Sequence, residues 1–189
     1  MNRLSVFCGS SSGNEKVYSE QAWLLGKTMA QQKIGLVYGG TKVGLMGQVA
    51  NGVLEHGGEA IGVLPHFLKE KEIAHDNLTE LHMVTNLQER KTMMNELSDG
   101  AIALPGGFGT MEEFFEMLTW GQLQIHLKPV ALFNINGYYD SLIHLFDTMV
   151  SNGFLKQVNR DMVLSAENID ALLNKMRTYQ APVVGKWIG

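Results

Sequence analysis

The stretch AIALPGGFGTMEEFFEML, residues 101–118, runs from a short apolar segment through a turn holding three glycines into a sequence of helical period. A run of four or five apolar residues is too short for a buried helix, and the glycines bound it as a strand. Strand, glycine-rich turn and helix in that order form one βα unit. The same grammar recurs upstream. CGSSSGN (8–14) follows the apolar run ending at Cys8, and YGGTKVGLMG (38–47) follows the run Gly35 to Tyr38.

Extended along the chain, this reading places strands at Leu4 to Cys8, Gly35 to Tyr38, Ala60 to Leu64, Leu81 to Val84, Gly100 to Leu104, Val130 to Phe133 and Met162 to Leu164. Helices are expected near Lys16 to Gln32, Leu45 to His56, Leu87 to Leu97, Met111 to Leu123, Tyr138 to Asn152 and Asn168 to Lys175. The strands are apolar on both faces, so helices must cover both sides of the sheet. The fold class is therefore α/β, a Rossmann-like doubly wound parallel sheet of about seven strands. Pro65 to Asn77 reads as a long polar connection able to overhang a site, and residues 178–189 as a tail. The whole chain, 1–189, is expected to form one nucleotide-binding domain.

Composition narrows the function. The 189 residues are 45% hydrophobic and 18% charged, with 21 glycines and a net charge of -4. A mildly acidic chain offers no electrostatic footprint for nucleic acid or an anionic membrane. The one cysteine, Cys8, permits no internal disulfide and reads as a buried strand thiol. The N-terminal apolar run is too short for a signal peptide, and nowhere do about 18 apolar residues run together, so the expected location is cytoplasmic.

In doubly wound sheets ligands bind beyond the carboxyl ends of the strands, where all three glycine-rich loops fall. A glycine-rich turn opening a helix leaves backbone N–H groups unpaired in front of the positive end of the helix dipole, which suits a phosphate. Gly106, Gly107 and Gly109 permit close backbone approach and Thr110 adds a hydroxyl; Gly39, Gly40, Gly44 and Gly47 either wrap the same ligand or only tighten a strand-to-helix corner. Neither GxGxxG with a distant acidic residue nor a lysine-terminated P-loop is present, which weakens dinucleotide and triphosphate readings.

Two carboxylates, Glu112 and Glu113, stand beside this anion site. Thr110 and Glu113 have the spacing of a capping box, in which the glutamate serves only the helix start. The same position brings Glu113 within reach of whatever the glycines hold, with Glu116 one turn further on. A cation is available: Asn86 and Glu89 start another helix with capping-box spacing, placing Arg90 and Lys91 in its opening turns. An arginine fork at the rim of such a cleft suits phosphate or ribose.

These residues resemble the LONELY GUY family of cytokinin riboside 5'-monophosphate phosphoribohydrolases, long labelled lysine decarboxylase-like. The signature PGGxGTxxE stands here as Pro105 to Glu113, preceded by Arg90-Lys91. FCGSS, YGG, LTWGQLQIHLKPV and NINGYYDSLI extend the likeness over most of the chain. Phe108, where tyrosine is frequent, and the GQ of TWGQ are mild departures. The resemblance implies a Rossmann-like fold, a homodimer, and hydrolysis of the bond between base and ribose 5-phosphate in a nucleoside monophosphate, with no cofactor and no metal. It gives Arg90 and Glu113 the catalytic positions. It lines the nucleotide site with Lys91, Thr119 and Glu72 and with the signature residues Gly106, Gly107, Phe108, Gly109, Thr110, Met111 and Glu112.

Cleaving an N-glycosidic bond builds positive charge on the ribose, and a fixed carboxylate answers that charge or deprotonates the attacking water. Glu113 fits either task. The six histidines form no H-x-x-x-H pair within an expected helix, and His126 reads as structural or solvent-facing. Trp120 and the methionines, Met93, Met94, Met111 and Met117 among them, read as core or subunit packing, some as walls of a base pocket. The alternative function is a non-catalytic nucleotide carrier or sensor using the same cleft. Amino-acid decarboxylation lacks a lysine in a persuasive cofactor-linking context.

Overall fold

A computed structural model describes residues 1–69 and 74–182. Among these, seven strands form one parallel sheet: β1 (Arg3–Phe7), β2 (Gly35–Tyr38), β3 (Ala60–Pro65), β4 (Glu80–Val84), β5 (Ala101–Ala103), β6 (Val130–Phe133) and β7 (Val163–Ala166). Their order is β4-β3-β2-β1-β5-β6-β7. Every pairing is parallel, with Leu4 beside Leu36 and Val6 beside Ile102 fixing the central register. The order reverses between β1 and β5, which opens a crevice at their carboxyl ends. The expected doubly wound α/β sheet is what the chain forms.

The connecting helices are α1 (Lys16–Gln31), α2 (Gly44–Leu54), α3 (His66–Lys69), α4 (Leu87–Glu96), α5 (Phe108–Gln122), α6 (Asp140–Ser151), α7 (Gln157–Arg160) and α8 (Ile169–Thr178). Alternation along the strands sorts them into two layers. Leu36 and Tyr38 join the core shared with Leu25 and Met29 of α1, Val49 and Val53 of α2, and Leu172 of α8. Val37, between them, joins the opposite core with Met94 of α4, Phe114 and Met117 of α5, and Phe146 of α6. The period of two thus sends successive residues of one strand into separate layers.

Helices α1 and α2 cross at glycines. A Cβ on Gly26 would lie 2.1 Å from the Val49 carbonyl oxygen, and one on Gly52 2.1 Å from that of Trp23. This close approach anchors the loops at both helix starts. At the start of β1, Asp99 accepts hydrogen bonds from the Asn2 and Arg3 backbone, and buried Ser5 donates to the Met94 carbonyl on α4.

The structure departs from the sequence reading in four places. Helix α5 starts at Phe108, three residues before the expected Met111. The connection after β3 carries the short α3, and beyond it Ala74 bridges Thr41 while the His75 N–H donates to the Gly40 carbonyl. A 3₁₀ turn (Ile135–Gly137) and α7 occupy stretches too short to display a period. Of the expected tail, α8 reaches Thr178, and residues 183–189 lie outside the described residues.

Candidate active site

The site is built at the start of α5. Its N-cap, Gly107, is extended (φ -93°, ψ -153°) and no side chain caps the helix. The first-turn N–H groups therefore face the crevice with the positive end of a 15-residue helix behind them. The capping-box reading of Thr110 and Glu113 fails on the same fact. With the cap at Gly107, Thr110 is third in the helix and Glu113 sits in its second turn, free to point elsewhere.

It points toward α4. Asn86 caps that helix by accepting from the Glu89 N–H at 2.8 Å, while the Glu89 carboxylate takes the Thr85 backbone N–H at 2.7 Å. This fixes the first turn and sets Arg90 facing Glu113, with Nη2 and Oε1 4.0 Å apart. Both side chains are largely buried, 11% and 14% exposed. At that separation they form a loose ion pair rather than a hydrogen bond, and the Arg90 Nε is buried with no partner among the described residues. A buried guanidinium with unspent donors is costly unless another group completes it.

Burial pushes the Glu113 carboxyl up to about 7, against the pull of Arg90, with Glu112 adding to the rise. Such an acid exchanges its proton near neutrality, as a general base must. The Cys8 thiol nearby is held well above its ordinary range, by burial first and Glu113 second, and stays protonated.

Arg90, Glu113, Gly39, Met46, Met94, Cys8 and the Gly107 to Thr110 turn line a cavity of about 280 Å³. Gly9, Ser10 and Gly107 also line a second cavity of about 360 Å³, walled by Tyr18, Leu45, Pro105 and Tyr138. The Tyr138 hydroxyl donates to the Gly106 carbonyl at 2.7 Å and its ring meets Tyr18 edge-on at 6.0 Å, which braces this wall. The two compartments together exceed the roughly 300 Å³ at which small-ligand clefts begin.

The glycines divide by purpose. A Cβ on Gly106 would lie 2.1 Å from Thr110 Oγ1 and 2.8 Å from the Gly9 nitrogen, so packing excludes a side chain there. At Gly107 and Gly109 a Cβ would meet nothing within 4 Å, and neither residue has positive φ. Nothing in the fold itself demands glycine at those two positions. Both border the cavity, where a Cβ would stand between the backbone and a ligand. Phe108 between them is 97% exposed at the mouth.

Residues 46–176 match the family described as possible lysine decarboxylase. Over 177 residues, 94% of this chain and 79% of the relative, the sequence is 48% identical to the probable cytokinin riboside 5'-monophosphate phosphoribohydrolase LOGL1 of Oryza sativa subsp. japonica. The chain belongs to the LONELY GUY family. Another relative, the cytokinin riboside 5'-monophosphate phosphoribohydrolase LOG7 of Arabidopsis thaliana, is 43% identical over 94% of this chain and 82% of its own. Among solved structures, the molybdenum cofactor binding protein of Rippkaea orientalis superposes with a TM-score of 0.71 at 21% identity, covering 93% of this chain and 95% of that one. The Moco carrier protein of Chlamydomonas reinhardtii gives 0.69 at 20%, covering 93% and 94%. At those identities the likeness carries the fold alone.

Of the residues expected at the site from the glycine-rich loops and the family likeness, the structure brings Gly39, Arg90, Gly107, Phe108, Gly109, Thr110 and Glu113 to the first cavity and Gly106 to the second. Others lie elsewhere. Lys91 turns away from Arg90 and is held by Glu112 and Glu116 of α5, so that all three are spent on joining the helices. Met111 packs with Met93 against the core. Thr119 donates to the Phe115 carbonyl and borders a separate apolar groove. Gly40 has φ +81° and turns its open side to Leu81 and Gly62. Glu72 lies outside the described residues. His126 is structural, its Nε2 3.0 Å from the Met117 carbonyl oxygen.

Cys8, Ser10 and Met46 border the cavity and were not singled out by the motifs. Cys8 carried a signal, as the last apolar residue before a glycine loop at the carboxyl edge of the sheet. Met94, four residues after Arg90, shares its helix face by spacing.

Proposed function

We propose that the protein hydrolyses the N-glycosidic bond of a nucleoside 5'-monophosphate, AMP or its N6-substituted cytokinin relatives, giving free base and ribose 5-phosphate. The observation that carries this reading is Glu113, a buried carboxyl with its acidity shifted to about 7, facing Arg90 beside an uncapped helix start. The names of relatives at 43% and 48% identity support the same chemistry.

The 5'-phosphate binds at the α5 N-terminus, where Gly107 and Gly109 admit it to the backbone N–H groups and the helix dipole favours its charge. Arg90 directs its free donors to the ribose hydroxyls. As the C1'–N bond breaks, its electron pair leaves with the base and positive charge develops on the ribose ring. Ionised Glu113 stabilises that charge and takes a proton from the water whose oxygen adds to C1'. The departing base takes a proton from solvent and Glu113 returns its own to solvent, so one water is consumed per bond broken. Phosphate binding orients the sugar, which makes unphosphorylated nucleosides poor substrates.

The active unit is a homodimer in this reading. Its support is the apolar exposure on the segments that follow α5 and α6, where Ile125 and Leu127 are each 63% and Phe154 is 88% exposed. Light scattering is expected to give twice the chain mass, and a single-chain mass at micromolar concentration contradicts it. A cytoplasmic location, supported by the lone buried Cys8, is checked by cell fractionation. The catalytic reading is tested by incubating purified protein with AMP and assaying free adenine and ribose 5-phosphate. Arg90→Ala and Glu113→Gln are expected to slow release about 10²- to 10⁴-fold while circular dichroism stays unchanged; release by both variants at the parent rate overturns it.

A further inference from the structure

Arg90 depends on a residue that makes no bond to it. Gly39 begins the loop leaving β2, and a Cβ built on it would lie 2.2 Å from Arg90 Nη2 and 2.8 Å from Met46 Sδ. The guanidinium occupies the volume that any side chain at position 39 would take. Next to it, Gly40 is fixed as glycine by its backbone, with φ +81°. Gly39 has no positive φ, so alanine suits its backbone, and what opposes it is the contact with Arg90 and, less closely, with Met46. The groups in the way are ends of flexible side chains, which move aside more cheaply than backbone.

We infer that Gly39 is a positioning residue: its missing side chain is the seat that holds the Arg90 guanidinium opposite Glu113. The strand end thus sets where the cation stands, and α4 only delivers it. An added methyl displaces Arg90 while the sheet and helices persist. The inference rests on the catalytic role proposed for Arg90, and its test separates the two.

Displacement also alters the acid. The charged and titratable groups acting on Glu113 are Arg90 and Lys91 from α4, Glu112 and Glu116 on its own helix, and Cys8 at the end of β1. Arg90 is the main influence holding the Glu113 pKa down against burial, so moving the guanidinium away leaves Glu113 protonated to higher pH.

The experiment is a double-mutant cycle of Gly39→Ala and Arg90→Ala, with kcat and KM for AMP across pH 5 to 9 and Tm for each protein. Gly39→Ala is expected to lower kcat about 100-fold, the scale of a 1 Å misplacement, with the acidic limb of the pH profile moved upward and Tm unchanged. In the Arg90→Ala background the same change is expected to lower kcat less than about threefold, because the guanidinium is gone and only the flexible Met46 side chain is left to move. Additive losses assign the methyl to obstructing substrate directly and overturn the inference. So does Gly39→Ala with parental kcat beside an inactive Arg90→Ala, or a crystal structure of Gly39→Ala with Arg90 in place. An Arg90→Ala protein of full activity sinks instead the catalytic role of Arg90.

Discussion

Two glycine-rich loops face the same crevice, and they spend their glycines differently. In YGGTKVGLMG, Gly40 and Gly44 supply left-handed backbone, with φ +81° and +57°. A Cβ on Gly47 would lie 2.2 Å from the Lys42 carbonyl oxygen, and one on Gly44 2.3 Å from the Ser10 carbonyl carbon. That loop is folded against itself and its neighbour. In LPGGFGT only Gly106 is so constrained, while Gly107 and Gly109 open onto the cavity. A glycine that neither packing nor φ explains is the better marker of a ligand.

The largest expected effect is at the acid beyond the open loop. Glu113→Gln is expected to lower kcat about 10²- to 10⁴-fold. Its stability change has the opposite sign. Because the folded-state acidity lies at about 7, above the 4.5 of the unfolded chain, the native state holds the extra proton. Stability therefore falls as pH rises between these values, and stays low above the upper one. Thermal melts at pH 5 and pH 8 are expected to show this loss in the parent and not in Glu113→Gln; equal slopes in both contradict it.

Within the loops, Gly47→Ala is expected to cost about 1–3 kcal/mol by urea unfolding, since a methyl must force backbone apart. Gly109→Ala is expected to leave the fold intact or to stabilise it by about 0.5–1 kcal/mol, because alanine favours helix. At the same time it is expected to raise KM for AMP about tenfold, the equivalent of 1.4 kcal/mol of phosphate contact. Equal destabilisation by both substitutions erases the distinction between the loops. The smallest effect concerns Lys91. Its replacement by methionine is expected to change KM less than twofold while lowering Tm by a few degrees, since its partners are Glu112 and Glu116.

Much of this was legible in the residues. The central strands were legible because a buried parallel strand is apolar on both faces, a pattern that survives without tertiary information, while the edge strand β4 is largely exposed. The start of α5 was not legible. GGFGT has poor helix propensity, so the sequence reads as loop up to Met111, whereas the helix begins at Phe108. That shift of three residues turned an apparent capping glutamate into a group facing Arg90. Arg90 and Lys91, adjacent in sequence, were expected to act together. On a helix they stand about 100° apart, and one reaches the cavity while the other binds α5. Glycines that seat a neighbouring side chain, such as Gly39, carry no sequence signal of their own.

The most direct test of the account is product analysis after incubating the parent protein and Glu113→Gln with AMP, N6-isopentenyl AMP and adenosine. Stoichiometric free base and ribose 5-phosphate from at least one monophosphate, and almost none from adenosine or from the variant over the same time, are the expected results. Monophosphate bound tightly and recovered intact from the parent protein contradicts the account.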